Sequence, residues 1–379
     1  MCGRSMCPAN EGDEVPVQQA PGKTSRCGVP RRAVLTPGWA RGMLLCGLLL
    51  LGACEQEPAT LAQWVSNSVE GGRIAEAERF LERLRVRDKE GPHYQAARAE
   101  VLWKKREFAE AERAFRAAIE GMRRDKKTLM NLHFRLGMLL HEMGRYGEAE
   151  TEFAGVSTFE PTSVAARVWR GRAALDATRF KEALAAFDAA LRLDPNHLEA
   201  RTGRAHCLIA LGDLKAASAE LDFLRERAPT DAWVRVLDGL LDLRKGSIDD
   251  AERSFRTAWE LQKRTAFPHV ALADFLLSRG KLDEAAAVLL GVPPKYAEAP
   301  GVLLRRGRLA RLRGHREEAR SLLARARDRV PKEPKGPAWP DPARIDLTPQ
   351  DLMAAIEAEM AQLEKGAGSQ PSEGGRSHH

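Results

Sequence analysis

Tyrosine is nearly missing from this chain, with three in 379 residues, and all aromatics together make up 6%. Aromatic and β-branched side chains pack pleated surfaces, so their scarcity disfavours strands, while abundant Ala, Leu, Arg and Glu favour helix. The expectation is an all-α chain. The apolar run from Met43 to Leu51 has nine residues, too few for a bilayer span of about 20. The formal charge of +7 includes +3 within the first 53 residues, and the remaining +4 is too small to argue for nucleic acid. No histidine pair has zinc-ligand spacing, and there is no nucleotide-binding glycine loop or Ser-centred elbow. Metal, cofactor, small-molecule substrate and catalysis are therefore not expected. Five of the six cysteines lie in the first 54 residues, and Cys207, within an apolar stretch of helical period, reads as a small buried hydrophobe.

The first 54 residues read as an address. The run Met43 to Leu51 follows Arg31, Arg32 and Arg41, the order of a secretory signal, and residues 1 to about 30 suggest an over-extended start. Leu51, Gly52, Ala53 and Cys54 then resemble the lipobox of bacterial lipoprotein signals. The resemblance implies cleavage after Ala53 and acylation of Cys54, with residues 1–53 as signal peptide and 54–57 as a lipidated tether. It also implies a cell-envelope protein, anchored to the inner or outer membrane and facing the periplasm.

What fills the rest is one unit written eight times. An alanine recurs at Ala77, Ala111, Ala149, Ala183, Ala217, Ala251, Ala285 and Ala319, six of the seven intervals being 34 residues. The exception, 38, is expected to be a lengthened loop near Asp125. With that alanine as position 0, column −5 holds Gly72, Gly144, Gly212, Gly246, Gly280 and Gly314, with Arg106 and Thr178 in the other two units. A left-handed turn between helices would favour this. Column −1 is acidic in seven units, suiting the first turn of a second helix. Columns +4 (Leu81, Phe115, Phe153, Phe187, Leu221, Phe255, Leu289, Leu323) and +7 share a helix face with position 0. Column −12 is small in seven units, from Ala99 to Gly307, and lets two helices approach closely. Prolines at 161, 195, 229 and 331 close four units.

This framework resembles the tetratricopeptide repeat family over about residues 58–332. The resemblance implies a right-handed α–α superhelix of about eight helical hairpins with a concave inner surface. Two family columns depart. Where tyrosine is usual, column −9 has Ser68, Leu102, Leu140, Ala174, Leu208, Asp242, Leu276 and Ala310. Where tryptophan is usual, column −16 has Leu61, Gln95, His133, Arg167, Arg201, Arg235, His269 and Leu303. Residues 333–346 read as a Pro- and Lys-rich linker, 347–365 as a capping helix with Leu352, Ile356, Met360 and Leu363 on one face, and 366–379 as a disordered tail.

Carried over by position, the family's inward residues are Trp103, Phe134, Met138, Val168, Trp233, Leu240, Phe267 and Leu304, alternating with Glu100, Lys104, His141, Arg172, His206, Asp274, Arg308 and Arg311. Such a floor suits a protein or peptide partner in the groove. The basic clusters Lys104 to Arg106 with Arg123 to Lys127, and Arg305 to Arg316, read as solvated helix faces, the alternative being attraction to anionic lipid, lipopolysaccharide or an acidic partner. The expectation is a membrane-anchored, protein-binding adaptor in a bacterial envelope complex. Rival readings are a non-catalytic subunit of a cell-wall or polysaccharide-export enzyme complex, and a cytoplasmic adaptor whose first 54 residues are misread.

Overall fold

The computed structural model describes residues 57–122, 125–330 and 349–365. The signal segment, Cys54, the linker 333–346 and the tail 366–379 lie outside the described residues. Within them there are seventeen α-helices and no strand. Sixteen pair into eight hairpins, each with a first helix A and a second helix B. They are α1 (Pro58–Glu70) with α2 (Ile74–Asp88), α3 (Pro92–Lys104) with α4 (Phe108–Gly121), α5 (Lys126–Glu142) with α6 (Tyr146–Phe159), and α7 (Val164–Asp176) with α8 (Phe180–Leu191). There follow α9 (Leu198–Leu211) with α10 (Leu214–Arg227), α11 (Ala232–Lys245) with α12 (Ile248–Leu261), α13 (Phe267–Ser278) with α14 (Leu282–Leu290), and α15 (Pro300–Leu312) with α16 (Arg316–Arg329). The last helix is α17 (Pro349–Lys365).

The repeat register is a packing register. All eight position-0 alanines are 0% exposed. Seven of the eight column +4 side chains are buried too, Leu81 at the first hairpin being half-buried. The A helix meets this face at column −12, and in hairpins 3, 4 and 6 even a Cβ added to the glycine there would enter the space of the +4 ring. A Cβ placed on Gly171 would stand 2.8 Å from the Phe187 ring, and one on Gly239 the same distance from Phe255. Phe187 is held from the next hairpin as well, because a Cβ on Gly203 would come within 2.3 Å of it. Hairpin 1 departs at column −12, where Val65 is buried in the cluster that Leu81 packs against.

Each hairpin turns in the same way. The column −5 residue is left-handed in all eight, at φ between 58° and 86°, Arg106 and Thr178 included. The N–H at −4 then donates to the carbonyl at −9 at 2.8–3.0 Å, which closes the A helix and launches B. Because column −9 gives this turn its backbone carbonyl, Ser68, Ala174 and Asp242 serve it as well as leucine does.

The four-residue insertion does not lengthen a loop, contrary to the expectation. It adds one turn to the start of α5, the longest of the A helices. Asp125 caps that turn, accepting from the Lys127 and Thr128 N–H groups at 3.1 and 3.2 Å and from Thr128 Oγ1 at 2.6 Å. Four residues are close to the 3.6 of one helical turn, so the rest of α5 keeps its face. In hairpin 7 the B helix is short, since Pro293 and Pro294 stop the chain and a 3-10 turn, Pro294–Tyr296, leads to α15. The C-terminal helix α17 closes the array by seating Leu352, Ile356 and Leu363 against Leu304, Ala310, Leu323 and Ala326. Cys207 is fully buried in the hairpin 4–5 core, and burial pushes its thiol up to about 12, so it carries no thiolate near neutrality.

Glycines at contact and non-contact positions should respond oppositely to alanine. Gly203→Ala forces Phe187 aside and is expected to cost about 1–3 kcal/mol. Gly155→Ala, in α6 with nothing within 4 Å of the new carbon, should gain about 0.5–1 kcal/mol from helix propensity alone. Urea midpoints of the two variants against the parent would check both signs.

Candidate functional site

Successive A helices touch one another directly (α1 with α3, α7 with α9, α9 with α11, α13 with α15), whereas B helices pack chiefly on the A helices beside them. The A side is therefore the inner side of the stack, and its surface is laid down by columns −18, −15, −14, −11 and −8.

Toward both ends this surface is cross-linked by polar rungs between neighbouring hairpins. Glu100 pairs with Arg135 at 3.0 Å, and Arg135 also reaches Glu70 at 3.3 Å. Burial raises the Glu100 carboxyl above its ordinary value, with the charge of Arg135 opposing. The Trp103 indole N–H donates to Glu142. His141 Nε2 lies 2.9 Å from Asp176, and Arg172 pairs with Glu199 at 2.8 Å while its guanidinium covers the Trp169 ring at 4.3 Å. At the far end Arg305, 5% exposed, grips Asp274 with Nη2 at 2.6 Å and Nε at 3.0 Å, and Arg311 reaches Glu359 of α17 at 2.6 Å.

Between these rungs, from hairpin 5 to hairpin 7, the links are aromatic. His206 meets Trp233 edge to face at 5.9 Å, and Trp233 meets Phe267 at 5.8 Å. Trp233 and Leu240 are half-buried, and each rests on the cores to both sides. A second aromatic patch lies at hairpins 3 and 4. There Phe134 stands edge to face with Phe153 at 5.5 Å and with Trp169 at 6.3 Å, beside half-buried Met138.

Of the groove residues read from the sequence, Trp233, Leu240, Phe134 and Met138 thus come together as two half-buried patches. Trp103 stands apart, half-buried and pinned to Glu142. Phe267, Val168 and Leu304 are buried at 6%, 2% and 5% exposure. Trp169 was missed. It sits in column −14, which the inward columns taken from the family did not include. The cluster Arg305 to Arg316 is not a free basic face. Besides the pairs above, Arg306 donates to the Leu289 carbonyl at 3.0 Å and Arg313 to Asp283 at 2.6 Å.

On the other side, the departures in column −16 are put to use. Arg167, Arg201 and Arg235 donate to the carbonyls of Pro161, Pro195 and Pro229, at 2.7, 2.8 and 3.5 Å. Each guanidinium thus ties a hairpin to the proline that closes the one before it. Two clefts open at equivalent places. One, of about 320 Å³, lies between hairpins 2 and 3, where His133 bonds Glu152 at 2.6 Å. The other, of about 350 Å³, lies between hairpins 4 and 5, where Arg201 and Arg204 converge on Glu220 at 2.8 and 2.6 Å. Between hairpins 6 and 7 the same place holds Trp259 edge to face with His269, 6.0 Å apart.

Burial lowers His269 below the ordinary imidazole value of 6.5, outweighing its 2.9 Å bond to the Thr265 carbonyl. The unfolded chain then binds a proton that the folded one refuses, so the stability from neutral His269 is complete above about 6.5 and is lost as pH falls through the lowered value. His269→Leu, the residue that column −16 carries at Leu61 and Leu303, should flatten the fall in thermal midpoint between about pH 7 and 5. Parallel melting curves of parent and variant would check it. Curves that stay parallel would refute the assignment.

Family profiles described as tetratricopeptide repeat match residues 65–126, 174–237 and 238–301. The chain is similar to anaphase-promoting complex subunit 3 of Schizosaccharomyces pombe, 30% identical over 157 residues, which is 41% of this chain and 23% of that protein. It therefore spans less than a quarter of that relative's length. A tetratricopeptide repeat protein from Parabacteroides merdae superposes with a TM-score of 0.53 at 17% identity, covering 70% of this chain and 98% of that one. Yeast Tom70 does so at 0.54 and 16%, covering 79% and 63%. Identities this low carry the fold alone.

Proposed function

We propose that this chain, whose folded body carries tetratricopeptide repeats, is a non-catalytic protein-binding scaffold tied to a bacterial envelope membrane by a lipid on Cys54. The observation that carries the binding half is the change in the inner surface along the array. Toward the ends, charged side chains of neighbouring hairpins pair across the surface, as Glu100 with Arg135, Arg172 with Glu199 and Arg305 with Asp274. At hairpins 5 to 7 they give way to Trp233 and Leu240, half-buried and resting on aromatic neighbours. A rigid, partly exposed tryptophan on a concave floor offers large apolar area at low entropic cost, the usual makeup of an interface anchor. The partner is a protein segment presenting apolar side chains to that floor, with the patch at Phe134, Met138 and Trp169 as a second contact. The anchoring half is supported by the sequence Leu51-Gly52-Ala53-Cys54, which turns polar at once and reaches the first helix at Pro58.

Trp233→Ala combined with Leu240→Ala is expected to lose the partner in pull-downs from native membranes while keeping parental helicity, a truncated anchor costing about 2 kcal/mol or more. Glu182→Ala, exposed on a B helix, is the control. Equal recovery from both would move the binding surface elsewhere. For the anchor, labelling with a palmitate analogue should mark the parent and not Cys54→Ala. A parent that stays unlabelled and soluble in its native host would defeat the lipid reading.

A further inference from the structure

The two outer clefts define which positions of a hairpin face the one before it. In both, columns −16, −13 and +3 of the later hairpin oppose columns +5, +8 and +9 of the earlier B helix. Later hairpins place charged side chains at several of these positions, such as Arg204 with Glu220. Hairpin 1 has no described hairpin before it, and at the same positions it carries Leu61, Trp64 and Phe80. Trp64 and Phe80 are half-buried and meet edge to face at 5.3 Å. The guanidinium of exposed Arg83 lies 6.0 Å from the Phe80 ring centre. The end of the array that would receive a preceding hairpin is thus an aromatic pair rimmed by a cation.

We propose that this end face, Trp64 and Phe80 with Arg83, rests in the headgroup zone of a lipid bilayer. The inference builds on the lipid-anchor reading. The occupant follows from chain length. Only Glu55, Gln56 and Glu57 separate Cys54 from Pro58, the first residue of α1, and four residue steps reach at most about 14 Å. A lipid on Cys54 therefore brings a membrane surface to the start of α1, six residues before Trp64. The chemistry suits that depth. An indole has an apolar body and one N–H, and it partitions to the boundary between acyl chains and headgroups. An arginine beside it lays its stem on apolar surface and reaches a lipid phosphate with its head. An end docked in this way holds the first hairpin against the bilayer and leaves the floor at hairpins 5 to 7 clear of it.

The test uses the full chain, extracted in lipidated form from its native host. It is reconstituted in vesicles of phosphatidylethanolamine and phosphatidylglycerol containing acyl-brominated phosphatidylcholine. Bromine should quench one component of the tryptophan emission, and that component should vanish in Trp64→Phe, which keeps a ring against Phe80. Arg83→Glu alters an exposed side chain and should leave helicity intact while reducing the quenched component at least two-fold. Equal quenching in parent and Trp64→Phe, with palmitate label and vesicle binding intact, overturns the proposal while sparing the anchor. A chain that takes no label overturns the anchor and the docked end with it. Loss of the component in Trp64→Phe with no response to Arg83→Glu removes Arg83 from the proposed contact.

Discussion

The closeness of the two helices in each hairpin is the constraint on which the rest of the structure depends. A position-0 alanine with no exposed surface in every hairpin, and −12 glycines in hairpins 3, 4, 6 and 8 whose added Cβ would strike the +4 side chain, hold the A and B helices close. That separation gives the turn its length, so the left-handed residue at −5 and the bond from −4 to −9 recur eight times. Arg106 and Thr178 show how firmly the turn is held. They take the left-handed conformation although it strains a residue with a Cβ.

Stacking adds a second layer of terms, each between neighbours only. Glu112 with Arg145, Glu150 with Arg179 and Glu252 with Lys281 repeat one contact, an acid at +1 meeting a base at −4 of the next hairpin. Such half-exposed pairs are each worth little. Apolar seams such as Phe187 between Gly171 and Gly203 carry more, since they reach from one hairpin into the next. The outcome is a body whose stability is a chain of local sums, with a surface free to vary between rungs.

That freedom is where the candidate site arises. An inner surface linked throughout by pairs such as Arg305 with Asp274 would offer a partner only charges already satisfied. Aromatic links at hairpins 5 to 7 leave apolar area instead, and the half-burial of Trp233 keeps it rigid before any partner arrives.

The repeat body was legible in the sequence because its determinants are local. Burial at 0, +4 and +7 follows from helical periodicity, and the −5 glycines follow from backbone sterics, so eight hairpins and their register could be read without coordinates. What only the tertiary structure decided depends on partners that helical periodicity does not pair, 31 residues away for Arg305 with Asp274 and 39 for Trp103 with Glu142. Trp103 is tied by Glu142, Arg305 is sunk against Asp274, Phe267 is taken into the core, and Trp169 joins Phe134. The arginines of column −16 look like departures until the carbonyls of Pro161, Pro195 and Pro229 are found within their reach. The four extra residues before α5 likewise became a turn of helix rather than a loop, because Asp125 stood where a cap was needed and four residues make nearly one turn.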